Sequence, residues 1–243
     1  MALLSRLMER LWADAEAAYR REILASLPRD TNARLLDVGC EDGAWTEQLR
    51  AKLGIPPGQV SGLEIVPELA ARSRRRGFDV RNGDLDTSWP FEDGSFDVVH
   101  ANQVIEHVHR LDHFAAELRR MLGPRGIAVV CTENLASWHN IAALVLGLQP
   151  FSLTNISVRR PLGNRLALSG GYLDEGESFL HVHVMTFNAL RDLLKEHGFV
   201  IEHSWGCGYH PLPRLAATLF ARVDPRHAHF IGTVARAAAT DGA

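Results

Sequence analysis

Between residues 35 and 43 the chain reads Leu35-Leu36-Asp37-Val38-Gly39-Cys40-Glu41-Asp42-Gly43, an apolar run ending in a carboxylate and then in glycines. A buried strand there would carry Asp37 to a sheet edge, where its carboxylate accepts from an ammonium or amide donor. Gly39 can adopt backbone conformations closed to other residues and lets a ligand approach the main chain. A helix beginning near Ala44 would add amides that its own first turn leaves unpaired. A second carboxylate, Glu64, closes the run Ser61-Gly62-Leu63-Glu64-Ile65 about two dozen residues further on, where an acid meets the ribose hydroxyls of an adenosine group. A third, Asp84 in Asn82-Gly83-Asp84-Leu85, is placed to accept from an adenine amino group while Leu85 packs on the ring. Taken singly, these also read as a plain glycine turn, a strand-end charge and a solvated turn aspartate.

The elements that must position these groups follow a regular rhythm. Strand-like runs fall at Arg34–Val38, Val60–Ile65, Phe78–Arg81, Phe96–Ala101, Ile127–Thr132, Val200–Ser204 and His229–Val234. Helical stretches lie at about 43–53, 67–76, 110–122, 136–147 and 187–197, and strands alternating with such helices predict βαβ units and a parallel sheet. Leu3, Leu4, Leu7, Leu11, Trp12, Ala15, Tyr19, Ile23 and Leu27 put an apolar stripe on one long N-terminal helix. That helix is expected to pack over the fold or join a homodimer. Gly123-Pro124-Arg125-Gly126 reads as a turn. The fold class is α/β: a Rossmann-like, seven-stranded, mostly parallel sheet with helices on both faces, an N-terminal helical extension and a lid insertion. The chain divides as a single domain into an N-terminal helix (1–28), a cofactor-binding core (29–147), a lid (148–183) and the C-terminal part of the core (184–243). The lid breaks the rhythm with Pro150, Pro161, Gly163, Gly170, Gly171 and Gly176, and a long irregular segment in a compact domain commonly covers a site.

Bulk properties exclude some partners. With 243 residues, 46% hydrophobic and 23% charged content and a net charge of −3, the chain is an ordinary globular protein with no electrostatic case for nucleic acid. Cys40, Cys131 and Cys207 make neither a disulfide framework nor a zinc pattern, which suits a reducing, cytoplasmic setting. The N-terminus is interrupted by Arg6, Glu9 and Arg10, unlike a signal peptide, and the longest apolar run, Ile141 to Leu146, is too short to span a bilayer.

In order, these motifs, with Phe96-Asp97-Val98-Val99 and Ile105-Glu106-His107-Val108, resemble the class I, seven-strand S-adenosylmethionine-dependent methyltransferases. The resemblance runs from about residue 33 to 133 and is nearest to the ubiquinone-biosynthesis O-methyltransferases and the related type 11 branch. The stretch Thr186–Phe199, a helix ending in His-Gly-Phe, is similar to that branch as well. The resemblance implies S-adenosyl-L-methionine as cofactor, with Asp37 and Gly39 at the methionine end, helped by the loop backbone at Cys40 and Gly43. It further implies Glu64 on the ribose with Ile65 beside it, Asp84 and Leu85 on adenine, and Asn102 flanking the methionine amine. Two departures stand out. Glu41 replaces a glycine of the family's Gly-Cys-Gly-x-Gly loop. Gln103 replaces the first glutamate of a Glu-x-x-Glu-His metal motif, which argues against a metal at Glu106 and His107, and none is expected.

The reaction expected is methyl transfer to an oxygen or nitrogen of a small molecule, such as a sugar or a lipid-linked metabolite. Such an acceptor can require a base near neutral pKa, and histidine suits that role. His107, His139, His181 and His183 are the candidates, with His181 and His139 preferred. Asn134, Trp138 and His139 follow the fifth strand and are placed to border the pocket, whereas His181 and His183 would share one side of an extended lid segment. Two rival readings are a catalytically silent cofactor- or partner-binding protein and a nicotinamide-dependent oxidoreductase. The latter lacks a Gly-x-Gly-x-x-Gly after its first strand.

Overall fold

The computed structural model describes residues 2–167 and 179–238, without the side chains of residues 2–5 and 7. Gly170, Gly171 and Gly176 of the expected lid lie outside the described residues. The elements run in the order α1 (Ala2–Ser26), β1 (Leu35–Val38), α2 (Ala44–Leu53), β2 (Val60–Glu64), α3 (Pro67–Arg74), β3 (Asp79–Asn82), β4 (Phe96–Asn102), α4 (Leu111–Met121), β5 (Leu122–Glu133), α5 (Trp138–Val145), α6 (Phe187–Glu196), β6 (Phe199–Cys207), α7 (Arg214–Val223) and β7 (Phe230–Ala237). The seven strands form one sheet in the order β3-β2-β1-β4-β5-β7-β6. Strands β1 to β5 are parallel, and β7 runs antiparallel to both its neighbours.

The order reverses between β1 and β4. The chain winds outward from β1 to β3, then crosses back to lay β4 against β1. At such a switch point the connections leave the carboxyl ends of two neighbouring strands in opposite directions, opening a crevice for a ligand. Asp37 and Asn102 both lie at that edge. Parallel strands covered on both faces need apolar side chains on both, and β1 is buried at every residue. Leu36, Val38, Val99, Ala128 and Val130 face a core completed by Phe114 and Leu118 of α4 and Leu190 and Leu194 of α6. Leu35, Val98, Ile127 and Val129 face the other, completed by Leu49 and Leu53 of α2, by Ala15, Tyr19 and Ile23 of α1, and by Leu27 just after it. The apolar stripe of α1 therefore packs on the fold. Every four residues it returns a side chain to the sheet, the spacing that keeps one helical face inward.

Local signals end the elements where expected. Gly54 closes α2 in the left-handed conformation and its amide donates to Arg50 O, while Pro67 opens α3 at a position that needs no amide. The Thr186 hydroxyl accepts from the Ala189 amide to cap α6. Three features differ from the sequence reading. The stretch Gly123-Pro124-Arg125-Gly126 is the start of β5, alongside a register irregularity between Phe96 and Val98, and not a turn outside the sheet. Helix α7 was not anticipated at all. Strand β7 extends to Ala237, three residues past its expected end, because it pairs with both β5 and β6.

Candidate functional site

The glycine loop is held from below by buried polar groups. Asp37 Oδ2 accepts the Thr46 hydroxyl at 2.5 Å, and Asp37 Oδ1 lies 2.7 Å from His100 Nδ1. His100 sits on β4 directly beside Asp37 in the parallel register. Both oxygens of Asp37 are thus engaged within the chain, and the residue is a buried anchor for the loop. Gly39 has φ of +72°, and a Cβ there would stand 2.5 Å from Val104 Cγ2, so glycine is required twice over. Glu64 is also buried. Its Oε2 accepts the Glu41 amide at 2.9 Å and its Oε1 the Val66 amide at 2.8 Å. Burial pushes its carboxyl above the ordinary glutamate value, while these amide donors pull the other way.

The loop differs from an open cradle of amides. Gly39 and Cys40 donate to Leu63 O, Glu41 to Glu64, Gly43 to Cys40 O, and Ala44 to Asp42 Oδ1. The amides that sequence reasoning reserved for a ligand are used to fix the loop instead. Glu41 itself has φ of +47°, the left-handed region, and its side chain is on the surface. The backbone there has a shape that glycine adopts freely, built with a residue that resists it.

Around this loop the other expected residues take distinct positions. Ile65 follows Glu64 with 44% of its surface exposed, an apolar side chain in the open beside the buried carboxylate. Asp84 is exposed and its Oδ1 accepts the Asp86 amide, and Leu85 is half-buried against the core. Asn102 ends β4 and Gln103 follows it, and Asn102 Oδ1 and Gln103 Nε2 are both buried without a hydrogen-bond partner. A buried acceptor and a buried donor are each costly to leave unmatched. Gln103, with φ of +54°, was not foreseen as a site residue. Its signal in the sequence was confined to the missing glutamate.

A second polar group lies beyond β4, where Glu106, His107 and His181 bring one ligating atom each to within 4.8 Å of one another. Glu106 is fully buried. Its Oε2 accepts the Thr132 hydroxyl at 2.8 Å, and its backbone oxygen accepts the amides of Val182 and His183, which ties the lid's last residues to the core. Burial pushes the carboxyls of Glu106 and Glu133 up, opposed by His181. His107 is pushed down to about 4 by burial and by His181. Its Nδ1 lies 3.0 Å from Leu180 O, and His181 Nδ1 lies 2.6 Å from Ser152 O. A carbonyl only accepts, so Nδ1 carries a proton in both rings, and the neutral form of each would hold its lone pair on Nε2.

His181 and His183, expected on one side of the segment, are both half-buried on either side of the exposed Val182, but they have different partners. His183 Nε2 approaches His109 O at 3.5 Å, on other partners than His181. His139 belongs to a different group, with its ring 5.2 Å from that of His210 and 4.6 Å from that of His229. Trp138 donates from Nε1 to Tyr209 Oη at 2.7 Å, and Asn134 is buried with its amide on Arg226 O and Ala228 O. Both therefore brace the connection around α7.

A sheet of this order, with a glycine loop after its first strand and a buried acid at the end of its second, defines the Rossmann-like architecture of class I S-adenosylmethionine-dependent methyltransferases. The chain belongs to the methyltransferase-domain family, whose model matches residues 11–204, and its cofactor is S-adenosyl-L-methionine. It is 30% identical over 143 residues to the trans-aconitate 2-methyltransferase of Methylobacterium nodulans, covering 58% of this chain and 55% of that one. It is 31% identical over 122 residues to a ubiquinone biosynthesis O-methyltransferase of Rhodopseudomonas palustris, covering 48% and 46%. The matched region thus spans about half the length of these curated relatives. An S-adenosylmethionine-dependent methyltransferase from Mesorhizobium loti has the same fold, with a TM-score of 0.61 at 20% identity over 91% of this chain and 97% of that one. No described helix is long and apolar enough to cross a membrane.

Proposed function

We propose that the protein transfers a methyl group from S-adenosyl-L-methionine to an oxygen or nitrogen of a small-molecule acceptor, with His181 as the base. The observation that carries this reading is the fixed tautomer of His181. Its Nδ1 is committed to Ser152 O, which leaves Nε2 as a lone pair in a buried group of titratable side chains. An acceptor atom that loses a proton as it is methylated needs such a group, whereas a carbon acceptor activated otherwise does not.

The residues of the first crevice fit the cofactor. Asn102 Oδ1 would accept from the methionine ammonium and Gln103 Nε2 would donate to the methionine carboxylate, matching the two buried atoms that lack partners. Each carboxylate oxygen of Glu64 accepts one backbone amide and retains capacity for a ribose hydroxyl. Ile65 and Leu85 would enclose the adenine, with Asp84 on its amino group. Gly39, Cys40 and Gly43 would shape the loop, with Asp37 holding it from beneath. When bound, the cofactor supplies an electrophilic methyl group on sulfur. In-line displacement then depends on alignment and on exclusion of water. The contacts of Val182 and His183 with the Glu106 backbone would place the lid's end where it serves both. The imidazolium formed at His181 would be steadied by Glu133, whose Oε2 stands 3.9 Å from Nδ1.

The acceptor class proposed is a small metabolite, sugar or lipid-linked, rather than nucleic acid. Turnover of labelled methyl donor against metabolite fractions tests it. Label appearing in a hydroxylated or amine-bearing metabolite supports the reading, and label appearing on carbon refutes the role of His181 as an acceptor base.

A further inference from the structure

We propose that His139, His210 and His229 form a binding site for a divalent transition-metal ion of the zinc type, separate from the crevice that serves the cofactor. The three residues are far apart in sequence and come together through the sheet. Strand β7 pairs antiparallel with β5, setting Phe230 opposite Glu133. That pairing brings His229, just before β7, close to His139 in the first turn of α5, and the connection after β6 adds His210. One ring nitrogen from each lies within 4.8 Å of the other two.

The hydrogen bonding of the rings leaves ligand atoms over. The His210 ring lies against the backbone of Leu11, and its Nε2 is buried without a partner. His139 Nε2 lies 3.4 Å from the Ser137 hydroxyl, which leaves its Nδ1 over, and a histidine held through one ring nitrogen can present the other to a metal. His229 Nδ1 is likewise buried and unpartnered. Among the described residues no carboxylate stands within ion-pair distance of the three rings, so nothing there favours an imidazolium. Burial pushes all three below the ordinary histidine value, which is the protonation state a metal requires.

The donor set selects the ion. Three neutral imidazoles suit zinc and its borderline neighbours and not calcium or magnesium, which take oxygen ligands. A tetrahedral ion bound at ~2.05 Å separates its nitrogen ligands by ~3.4 Å. Small ring rotations at His139, the most exposed of the three, would close the present spacing. Phe151 lies 5.5 Å from the His139 ring and Phe230 stacks 4.2 Å from His229, giving the site an apolar shell. A cavity of about 120 Å³ lined by Leu11, Ala15, Tyr209 and His210 offers a way in between α1 and α7. Three protein ligands leave a fourth position for water, and the ion would tie α5, the loop after β6 and the start of β7 together.

Glu106, His107 and His181 could also take a metal, so the test separates the two groups. The whole protein, stripped with chelator and desalted, is titrated with zinc against a chromogenic competitor. The same titration is run on His139→Gln, His210→Gln and His181→Gln, with circular dichroism to verify the fold. The expected result is one zinc bound in the micromolar range or tighter, a loss of about tenfold or more in His139→Gln and His210→Gln, and retention in His181→Gln. Cobalt bound in place of zinc should show the visible absorption of a tetrahedral site that His139→Gln removes. Should His210→Gln fail to fold, the part-exposed His139→Gln and the wild-type stoichiometry decide. Absence of zinc uptake by the wild type overturns the proposal, as does uptake that survives in folded His139→Gln or disappears in His181→Gln.

Discussion

The Glu64 carboxylate accepts the backbone amide of Glu41 at 2.9 Å, so the acid at the end of β2 also fixes the outermost residue of the glycine loop. The ribose recognition proposed for Glu64 and the shape of the loop would therefore share one side chain. Glu64→Ala should weaken S-adenosylhomocysteine binding, by ~1 kcal/mol or more per lost hydrogen bond, and should lower stability as well. Calorimetry and denaturant unfolding on the same preparation measure both. Since burial raises the Glu64 pKa and the ionised form is the better acceptor, affinity should fall on acidification at a higher pH than for an exposed glutamate. Unchanged affinity in folded Glu64→Ala would remove Glu64 from the ribose.

Glu41 holds a left-handed backbone with an exposed side chain. Replacement by glycine removes a steric penalty of about 1 kcal/mol in the native state, partly offset by the greater freedom of glycine in the unfolded chain. Glu41→Gly should therefore be at least as stable as the parent by thermal unfolding and bind cofactor within a few fold. A large loss of affinity would show that the glutamate itself contacts the ligand.

His107 is neutral in the fold down to about pH 4, whereas in the unfolded chain it takes up a proton near its ordinary value of ~6.5. Between those values the unfolded state binds more protons, so stability rises with pH across that window and is lost on acidification. This residue contributes a slope of up to about 1.4 kcal/mol per pH unit. Chemical denaturation of wild type and His107→Gln at several pH values from 4.5 to 7 should give a shallower dependence in the variant. Parallel curves would show that His107 does not titrate differently in the two states.

For His181 the expected signature is kinetic. His181→Ala should lower turnover by a factor on the order of 10² with an oxygen or nitrogen acceptor and leave cofactor affinity nearly unchanged. His183→Ala, whose ring has a different backbone partner, should have the smaller effect. Wild-type turnover in His181→Ala would leave alignment as the source of rate.

Much of this arrangement was legible in the chain. Strand–helix alternation predicted the sheet because parallel strands buried on both faces must read as short apolar runs. Gly39 declared its turn because no other residue fits both its φ and the approach of Val104. The rest depended on neighbours distant in sequence. His100 was silent until the parallel register set it beside Asp37, and His139, His210 and His229 meet only through the β5–β7 pairing. Helix α7 escaped notice because it buries only the small residues Ala217 and Ala221, while its large apolar residues Leu215, Leu219 and Val223 point outward. The glycine-rich middle of the lid lies outside the described residues.

The reversed direction of β7 has a practical consequence for handling the protein. Its first residue, Phe230, stands opposite Glu133 at the ligand-binding edge, and its second-to-last, Arg236, stands opposite Ile127 at the far edge. The polypeptide thus leaves the sheet pointing away from the crevice. A purification handle or surface tether fused after this strand would hang from the closed side of the molecule, and immobilised protein would still present its binding edge to solution.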